Sequence, residues 1–345
     1  MERVNVAVVG LGMGRAHLRC YKECPQANVV AICDVDETRL NAVGDEYGVA
    51  NRFVRYEELF GLKDLHAVSI ALPNYLHAPA TIGALKAGLH VLCEKPLAMN
   101  AEEGEAMVSA AREAGRQLMM HFNTRWHPSS RLARALVEEG MLGEVYFGRT
   151  GWHRSRGIPR LGGWFTTKKM SGGGPLIDLG VHRLDLALWL MGSPNPVAVT
   201  GTTYSRLGTE LAARQGKHFD VEDLAAGFIR FANGASLVVE ASWASNTGKR
   251  EDGFTTLMGT KGGLHLDNED EGYTFRARAY REMGGTLVEV TPRVPLPPDT
   301  PQAAFVRCIL EGKPNPAPGE DGLRVQRILD ALYRSAAEGR EVRMA

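Results

Sequence analysis

Three polar side chains recur at helical spacing within an apolar stretch of the sequence. Asp178, His182 and Asp185 are four and three residues apart, and leucine, isoleucine and valine dominate the positions around them. At about 100° per residue, the three side chains fall on one face of a helix. An imidazole beside a carboxylate can accept and return a proton near neutral pH, because the carboxylate sets the tautomer and orientation of the ring.

Two structural interpretations compete with this acid–base unit. A solvated helix face would carry the same residues, and so would a histidine held between two aspartates in a satisfied network. Burying carboxylates and an imidazole is costly unless the groups are paired or neutralised. The helix alone therefore leaves these interpretations open.

Lys95 is a second candidate for proton chemistry. It follows a short apolar run and stands in the sequence Glu94-Lys95-Pro96. At a strand end beside a proline, we expect this lysine to lie at a ligand crevice and not on an outer helix face. A partly desolvated lysine has a lowered pKa and can carry a proton or bind a reacting hydroxyl, whereas a plain surface lysine is the alternative.

A glycine-rich loop near the N-terminus predicts a dinucleotide site. The apolar run at residues 5–9 is followed by Gly10, Gly12 and Gly14 and then by a segment of helical character. Such glycines let backbone N–H groups meet a pyrophosphate at a helix N-terminus. A second apolar run ends in Asp34, where an acid would bind the adenosine ribose and repel a 2′-phosphate, which favours NAD over NADP. An ordinary glycine turn is the alternative.

The pattern of elements changes near residue 122. Before it, strand and helix patterns alternate as βα units, which predicts a parallel, doubly wound sheet in an α/β fold. After it, most segments have strand character, which predicts a largely antiparallel sheet with helices on one face, an α+β domain. We therefore divide the chain into domains of residues 1–122 and 123–345. Residues 292–301 hold five prolines and are predicted to form a connection.

A basic, aromatic loop is predicted at residues 153–174, after a strand that we expect to end at Arg149. The loop contains six basic side chains and no acidic one, together with Trp164 and Phe165. Loops of this length are often lids or binding loops, and a tryptophan could supply a flat face for a sugar ring. A solvated surface loop or a subunit contact is the alternative.

Composition limits the class of protein and of ligand. Across 345 residues, 40 Lys and Arg balance 40 Asp and Glu, so bulk charge does not indicate a nucleic acid or membrane partner. No apolar run approaches the ~20 residues of a membrane span. The five cysteines are scattered, without metal-binding spacing, as in proteins of a reducing compartment. We expect a globular cytoplasmic protein that binds a small ligand and no metal.

These motifs together resemble those of the Gfo/Idh/MocA oxidoreductases, the group of glucose-fructose oxidoreductase and myo-inositol dehydrogenase. The resemblance implies an N-terminal Rossmann domain and a C-terminal domain with a large, mainly antiparallel open sheet. The segments that carry the resemblance are Val9 to Gly14 with Arg15-Ala16-His17, Cys33-Asp34, Pro73-Asn74 with His77, Glu94-Lys95-Pro96, Gly172-Gly173-Gly174 with Asp178 and His182, Gly259-Thr260-Lys261-Gly262, and Gly319-Glu320-Asp321-Gly322.

The resemblance also implies roles for individual residues. Lys95, Asp178 and His182 would be catalytic, with His182 as general base, Asp178 stabilising the imidazolium and Lys95 binding the same substrate oxygen. Asp185 would be structural or orient His182. Cofactor contacts are implied for Gly10, Gly12, Met13, Gly14, Asp34, Leu72, Pro73, Asn74, His77, Glu94, Lys95, Asn123 and Trp164. Weaker candidates for substrate contact are Arg125, Trp152 and His153.

The implied reaction is a reversible hydride transfer between the nicotinamide of NAD and a secondary hydroxyl or ketone of a cyclic sugar or polyol, of inositol or aldose type. A related alternative is a glycoside-cleaving enzyme in which tightly held NAD oxidises the sugar transiently. An alternative of another class is a sugar- or dinucleotide-sensing regulator on the same fold. The resemblance further suggests a homodimer or homotetramer, with an open sheet face covered by a partner subunit.

Overall fold

The structure, a computed structural model, describes residues 2–290 and 299–344. The chain forms two compact units, which are described separately. The first comprises the described parts of Met1–Asn123 and Asp299–Gln326, and the second those of Thr124–Pro298 and Arg327–Ala345. Residues 299–326, which lie in the second of the two domains predicted from the sequence, pack with the first unit. The predicted proline-rich connection at residues 292–301 lies mostly outside the described residues.

The strands and helices of the described residues are numbered here in chain order. The strands are β1 (Val4–Val9), β2 (Ala27–Cys33), β3 (Asn51–Phe53), β4 (Ala67–Ile70), β5 (His90–Cys93), β6 (Leu118–Met120), β7 (Val145–Arg154), β8 (Pro196–Tyr204), β9 (Leu224–Phe231), β10 (Ser236–Ser242), β11 (Glu251–Gly259), β12 (Gly262–Asn268), β13 (Phe275–Met283), β14 (Thr286–Val290) and β15 (Val342–Arg343). The α-helices are α1 (Gly14–Lys22), α2 (Glu37–Tyr47), α3 (Tyr56–Leu59), α4 (His77–Lys86), α5 (Ala101–Ala114), α6 (Pro128–Glu138), α7 (Lys168–Ser171), α8 (Val181–Leu190), α9 (Leu207–Arg214), α10 (Pro301–Glu311) and α11 (Gly319–Glu338).

The first unit is built on a parallel sheet. Among its described residues the sheet has six strands in the order β3-β2-β1-β4-β5-β6, and every neighbouring pair is parallel. The strand order reverses between β1 and β4, which in doubly wound folds is where ligands bind, beyond the carboxyl ends of the strands. The predicted α/β fold with a parallel, doubly wound sheet is confirmed.

The second unit contains a mixed, mostly antiparallel sheet. In the described part of this unit, nine strands follow the order β14-β13-β12-β11-β7-β10-β9-β8-β15, with β7 and β10 parallel and the other pairs antiparallel. α6 and α8 pack on one face through a core that includes Leu136, Leu186, Leu190 and Leu257. The predicted largely antiparallel sheet with helices is confirmed.

Two local predictions were wrong. β7 continues to Arg154 and does not end at Arg149, because it pairs along its length with both β10 and β11. The helix that carries Asp178 opens with a π-helical turn, Leu176–Gly180, before α8 begins. The wider π-turn interrupts the uniform 100° progression that was assumed between Asp178 and His182.

Several short helices and strands were also not predicted from the sequence. β3, α3, α9 and β15 have lengths of 3, 4, 8 and 2 residues and are too short to show a reliable period. Over the residues that the structure describes, none of the helices has both the length and the apolar character needed to cross a membrane.

His90, the first residue of β5, couples folding to pH. Its Nδ1 accepts a hydrogen bond from the backbone N–H of Gln117 at 3.0 Å, which requires a neutral ring. Burial first, and then the charge of Arg116, lowers the pKa of His90 from 6.5 to about 4. The unfolded chain therefore binds the proton first, and stability is lost as the pH falls from about 6.5 toward 4.

Because His90 is only partly buried and solvent screens part of the effect, we expect this group alone to lower the free energy of unfolding by about 1 kcal/mol between about pH 7.5 and pH 5. His90→Asn should remove that loss, because the asparagine Oδ1 can accept in place of Nδ1 and does not titrate. Urea titrations of both proteins at the two pH values measure the difference. Equal losses in the two proteins would contradict the assignment.

Candidate functional site

The glycine loop after β1 has one tightly packed end and one open position. Gly10 has φ +88°, and a Cβ there would lie 2.4 Å from the carbonyl oxygen of Ala71. A Cβ on Gly14 would lie 2.7 Å from Val8 Cγ1, whereas one on Gly12 would meet nothing within 4 Å. Gly10 and Gly14 are thus required by packing within the protein, while Gly12 leaves space beside the loop.

The N-terminus of α1 suits an anionic group. Its cap residue, Met13, is 63% exposed, gives no side-chain hydrogen bond to the helix, and no acidic residue occupies the first turn. The N-terminal N–H groups and the helix dipole favour negative charge at such a position. Together with the space at Gly12, this arrangement fits the pyrophosphate of a dinucleotide, which the loop and the start of α1 would hold.

Asp34, directly after β2, is 5% exposed and bonded on both carboxylate oxygens. Oδ2 accepts from the backbone N–H of Leu11 at 2.8 Å, and Oδ1 accepts from that of Asp36 at 2.9 Å. The guanidinium of Arg39 lies 3.1 Å from Oδ2. Asp34 therefore ties the glycine loop to the end of β2 and carries a cation beside it.

The segment after β4 is held by a buried histidine. Leu72 and Pro73 precede a 3₁₀ turn that contains Asn74, which is buried. His77 Nδ1 lies 2.7 Å from the carbonyl oxygen of Pro96, and Nε2 lies 2.8 Å from that of Leu72. Burial lowers the pKa of His77, although the two carbonyl contacts oppose the shift. His77 thus links the chain segments that follow β4 and β5.

Glu94, at the end of β5, is the centre of a buried hydrogen-bond network. Its Oε1 lies 3.0 Å from His17 Nε2 and 2.9 Å from His121 Nδ1, and its Oε2 accepts from the backbone N–H of Lys95 at 3.1 Å. Gln302 Nε2 lies 3.0 Å from His121 Nε2. Burial alone would raise the pKa of Glu94, but His121 and then the hydrogen bonds and charge of His17 hold it well below its usual range.

Only part of this network was predicted from the sequence. Glu94 was assigned to the cofactor, and His17 appeared only within a motif. His121 follows β6 as Glu94 follows β5, so its position at a strand end could have indicated it. Gln302 is 181 residues from His121 in sequence, and no local pattern connects the two. Lys95 itself is partly exposed, beside the buried Glu94.

Asp178 and His182 lie in a largely aromatic environment in the second unit. Asp178 is in the π-turn, and its Oδ2 accepts a hydrogen bond from Trp243 Nε1 at 3.0 Å. His182, in the first turn of α8, lies with its ring centroid 6.0 Å from that of Trp152. Both side chains are partly exposed, although most of their helix is buried. The arrangement leaves a carboxylate and an imidazole partly accessible beside rigid, apolar surfaces.

Asp185 and Arg125 form a buried ion pair. Arg125 Nε lies 3.0 Å from Asp185 Oδ2, and Nη2 lies 2.5 Å from Oδ1. The two side chains are 4% and 1% exposed. The pair ties the 3₁₀ turn Asn123–Trp126 to α8. Contact of Arg125 with substrate stays a prediction, which this bond does not support.

The two neighbouring candidates on β7 point in opposite directions, because successive strand residues face opposite sides of a sheet. Trp152 packs toward α8, and its Nε1 donates to Glu251 Oε1 at 2.6 Å. His153 lies on the other face, 3.0 Å from Glu240 and stacked on Phe254. Trp152 thus accompanies His182, whereas His153 does not.

Two further side chains near Trp152 were not predicted. Arg154 donates through Nε to Glu251 and through Nη2 to the Tyr273 hydroxyl, at 2.9 and 2.8 Å. The guanidinium of Arg183 is fully buried over the Trp152 ring, 4.7 Å from its centroid. Their signal was weak because Arg154 was assigned to a loop and Arg183 follows His182 without any motif.

The loop after β7 reaches the Asp178 side of the unit through aromatic contacts. Trp164 stacks on Phe165 with ring centroids 3.8 Å apart, and Phe165 meets Trp243 edge-on at 6.5 Å. Trp243 is the residue that binds Asp178. The loop is therefore packed in this region, and the contact of Trp164 with the cofactor stays a prediction.

Comparison with known proteins identifies the family. A model described as an oxidoreductase family with an NAD-binding Rossmann fold matches residues 4–122, and the GFO/IDH/MocA C-terminal domain matches residues 130–265. The chain belongs to the Gfo/Idh/MocA oxidoreductase family. The family predicted from the sequence motifs is confirmed.

Three members of the Gfo/Idh/MocA family illustrate the similarity. D-glucoside 3-dehydrogenase of Escherichia coli is 32% identical over 99% of this chain and 97% of its own length. D-xylose 1-dehydrogenase (NADP(+)) 2 of Haloferax volcanii is 30% identical over 93% of this chain and 94% of its own length. A levoglucosan dehydrogenase solved with NADH is 27% identical, with a TM-score of 0.87, and 99% of each chain is covered.

The glycine loop gives a prediction that separates folding from cofactor binding. Gly12→Ala should leave the melting temperature within about 1 °C, because the added methyl meets nothing in the protein. It should weaken NAD binding by at least about tenfold, because the methyl occupies the space beside the loop. Thermal unfolding and calorimetric titration with NAD measure the two effects.

Gly10→Ala is the matched comparison. Its φ of +88° and the 2.4 Å approach to Ala71 predict a loss of about 2 kcal/mol or more in the free energy of unfolding. If Gly12→Ala bound NAD as tightly as the natural protein, the assignment of the pyrophosphate to this loop would be wrong.

Proposed function

We propose that the chain is an NAD-dependent dehydrogenase that transfers a hydride between nicotinamide and a secondary hydroxyl or ketone of a cyclic sugar or polyol. The observation that supports this most is the pair Asp178 and His182. Of the titratable residues in the π-turn and α8, these two stay partly exposed, whereas Arg183 and Asp185 are buried. The names of the relatives, which are dehydrogenases of sugars, support the same substrate class.

His182 is the proposed general base. Its Nδ1 is buried, so we assign proton exchange with the substrate hydroxyl to Nε2. Trp152 lies beside the ring and limits its orientation. The neutral imidazole accepts the hydroxyl proton during oxidation and returns it during reduction.

Asp178 is the proposed stabiliser of the protonated imidazole. The indole N–H of Trp243 fixes one of its carboxylate oxygens at 3.0 Å. Because the buried Trp243 holds the carboxylate, its negative charge is already in place when His182 becomes positive, and little reorganisation is needed. When bound, NAD would supply the ring carbon that accepts the hydride.

Lys95 is the proposed donor to the substrate oxygen. Its backbone N–H is held by Glu94, and the carbonyl of the following Pro96 contacts His77. The peptide group before Lys95 and the peptide group after Pro96 are therefore held, which favours a defined position for the ammonium group. There it would stabilise the negative charge that develops on the oxygen as the proton leaves.

His182→Ala should lower kcat by about 10²- to 10⁴-fold, because the general base is lost, while the Kd for NAD changes little. NADH formation, followed with cyclic polyols, aldoses, uronates and glycosides, measures the loss and identifies the substrate class. His153→Ala is the matched control, since this histidine lies on the opposite face of β7 and should leave kcat unchanged within about twofold.

The same panel separates the alternatives. NAD-assisted glycoside cleavage would release the aglycone from a glycoside without net NADH, and His182→Ala would abolish that release. A sugar- or dinucleotide-sensing regulator would bind NAD or a sugar and show neither product. The absence of NADH with every polyol, aldose and uronate would overturn the dehydrogenase proposal.

We also propose a preference for NAD over NADP, since Asp34 presents an acid where the adenosine ribose of a Rossmann domain binds. Asp34→Ala should reduce the preference, because it removes the negative charge and frees the adjacent Arg39 guanidinium to bind a 2′-phosphate. The ratio of kcat/KM for NAD and NADP measures the preference. Asp36→Ala, which removes a second Arg39 contact outside the ribose assignment, is the control. An unchanged ratio in Asp34→Ala would refute the ribose assignment.

The proposed partner is a second copy of the chain. The face of the second sheet opposite α8 carries exposed Tyr146 and Met258, 52% and 44% exposed, and a homodimer or homotetramer would cover such apolar groups. Neither nucleic acid nor membrane is a proposed partner. The cytoplasm remains the proposed location, on the basis of the scattered free cysteines.

A further inference from the structure

We propose that Gln302, acting through His121 and Glu94, is a positioning residue for Lys95. The inference rests on the proposed function, in which Lys95 binds the reacting oxygen. It concerns a residue of α10, which lies far along the chain from Lys95 and from β5, the strand that precedes Lys95. A series of hydrogen bonds leads from Lys95 to Gln302.

First, the two carboxylate oxygens of Glu94 have different hydrogen-bonding partners. Oε2 accepts from the backbone N–H of Lys95 at 3.1 Å, whereas Oε1 is close to both His17 Nε2 and His121 Nδ1. The carboxylate can hold the Lys95 peptide only while the two imidazoles fix its plane. Any change in either ring is therefore transmitted to the backbone of Lys95.

The second step is the tautomer of His121. His121 Nδ1 lies 2.9 Å from Oε1 without the angle of a regular hydrogen bond; because an ionised Glu94 can only accept, we place the proton of a neutral His121 on Nδ1. Nε2 of a neutral ring is then an acceptor, and the amide nitrogen of Gln302 is the donor 3.0 Å away. Gln302 thus selects the tautomer of His121 that Glu94 requires.

The third step is the burial of the whole set. His17 is completely buried, Gln302 is 1% exposed, and Glu94 and His121 are 8% and 9% exposed. A lost donor inside such a network cannot be replaced freely by bulk solvent. The segment of residues 299–326 packs α10 against α1, β1 and β5, which brings Gln302 to His121.

Two histidines and a glutamate are also ligands that a transition metal accepts. The rings of His17 and His121, however, stack with centroids 4.2 Å apart and planes inclined by 31°. His17 Nε2 and His121 Nδ1 lie 3.0 and 2.9 Å from Glu94 Oε1, so this carboxylate oxygen already fills the position that an ion bound by both rings would take. The geometry favours the hydrogen-bonded network, and the experiment includes the metal as an outcome.

Gln302→Met is the test variant, because methionine has a similar shape and lacks the donor. We expect kcat for sugar oxidation to fall about tenfold, while KM for the sugar and the Kd for NAD stay within about twofold. We also expect the Lys95 amide proton to exchange with solvent at least about tenfold faster. Imidazole nitrogen shifts in histidine-labelled protein should show His121 leaving the Nδ1–H form.

Tyr21→Phe is the matched control. It removes the buried hydrogen bond between Tyr21 Oη and Ser69 Oγ, which is 2.8 Å long, and Tyr21 lies on the same helix as His17 but outside the network. It should lower stability by an amount comparable to Gln302→Met and leave kcat, the Lys95 exchange rate and the His121 shifts unchanged. Equal effects of both variants on kcat would mean that Gln302 has a merely structural role.

His121→Asn gives a second route if Gln302→Met fails to fold. The asparagine amide nitrogen can stand where Nδ1 stands and donate to Glu94, so Lys95 should keep its slow exchange and most of its kcat. Loss of both in His121→Asn would overturn the proposal. So would one equivalent of zinc in the purified protein whose removal by a chelator speeds Lys95 exchange in the natural sequence.

The amide exchange rate and the imidazole shifts are measured without substrate. They therefore distinguish the two proposals from each other. If no sugar is oxidised but Gln302→Met still frees the Lys95 amide, the positioning network stands and the dehydrogenase proposal fails. If sugars are oxidised and Gln302→Met leaves kcat and the Lys95 amide unchanged, the positioning proposal fails alone.

Discussion

A buried carboxylate sets the main constraint on the first unit. Glu94 lies directly after β5, where burial opposes its charge, and it remains ionised because two imidazoles and a backbone N–H surround it. Those donors belong to α1, to the chain after β6 and to Lys95. The carboxylate therefore connects the carboxyl ends of β5 and β6 with the helix that follows the glycine loop. A strand end bonded in this way cannot shift without leaving a charge unpaired in the interior.

In the second unit, some titratable side chains are buried in bonded pairs and others stay partly exposed. Asp185 accepts from Arg125 on both carboxylate oxygens, and Glu251 accepts from Trp152 and Arg154 on Oε1, so these carboxylates hold the scaffold. Asp178, with one oxygen on Trp243, and His182 remain partly exposed. Exposure, and not residue type, distinguishes the side chains that could meet a ligand from those that maintain the fold. The sequence alone does not contain this distinction, since Asp178 and Asp185 look equivalent on a helical projection.

Particular residues show which parts of the structure were predictable from the sequence. The parallel sheet was predictable because short apolar runs alternate with helical segments at regular intervals, and the ends of those runs marked Asp34 and Glu94. The side of β7 on which His153 lies was not predictable, because the strand's end depends on pairing with β10 and β11, which are far away in sequence. The π-turn at Asp178 was not predicted for a related reason. A helical projection uses a constant rotation per residue, so it cannot show where the rotation changes. The contact of Gln302 with His121 was not predictable, because α10 is far from His121 in sequence and meets it only in the folded chain.

Arg183 shows how the second unit fixes the surface beside His182. Burial lowers the pKa of this guanidinium to about 9, with Glu251 opposing the shift. Within the described part of the chain its Nε and Nη2 have no hydrogen-bond partner, and it instead lies over the rings of Trp152 and Phe275, 4.7 and 4.1 Å from their centroids. The quadrupoles of two aromatic faces stabilise a desolvated cation between them, and the same attraction holds the rings against the cation. Trp152 is thus held from one side by Arg183 and at its indole N–H by Glu251, which leaves it little freedom to move away from His182. Burying the Arg183 guanidinium costs folding free energy, but the buried cation helps to fix the orientation of the Trp152 ring beside the proposed base, His182.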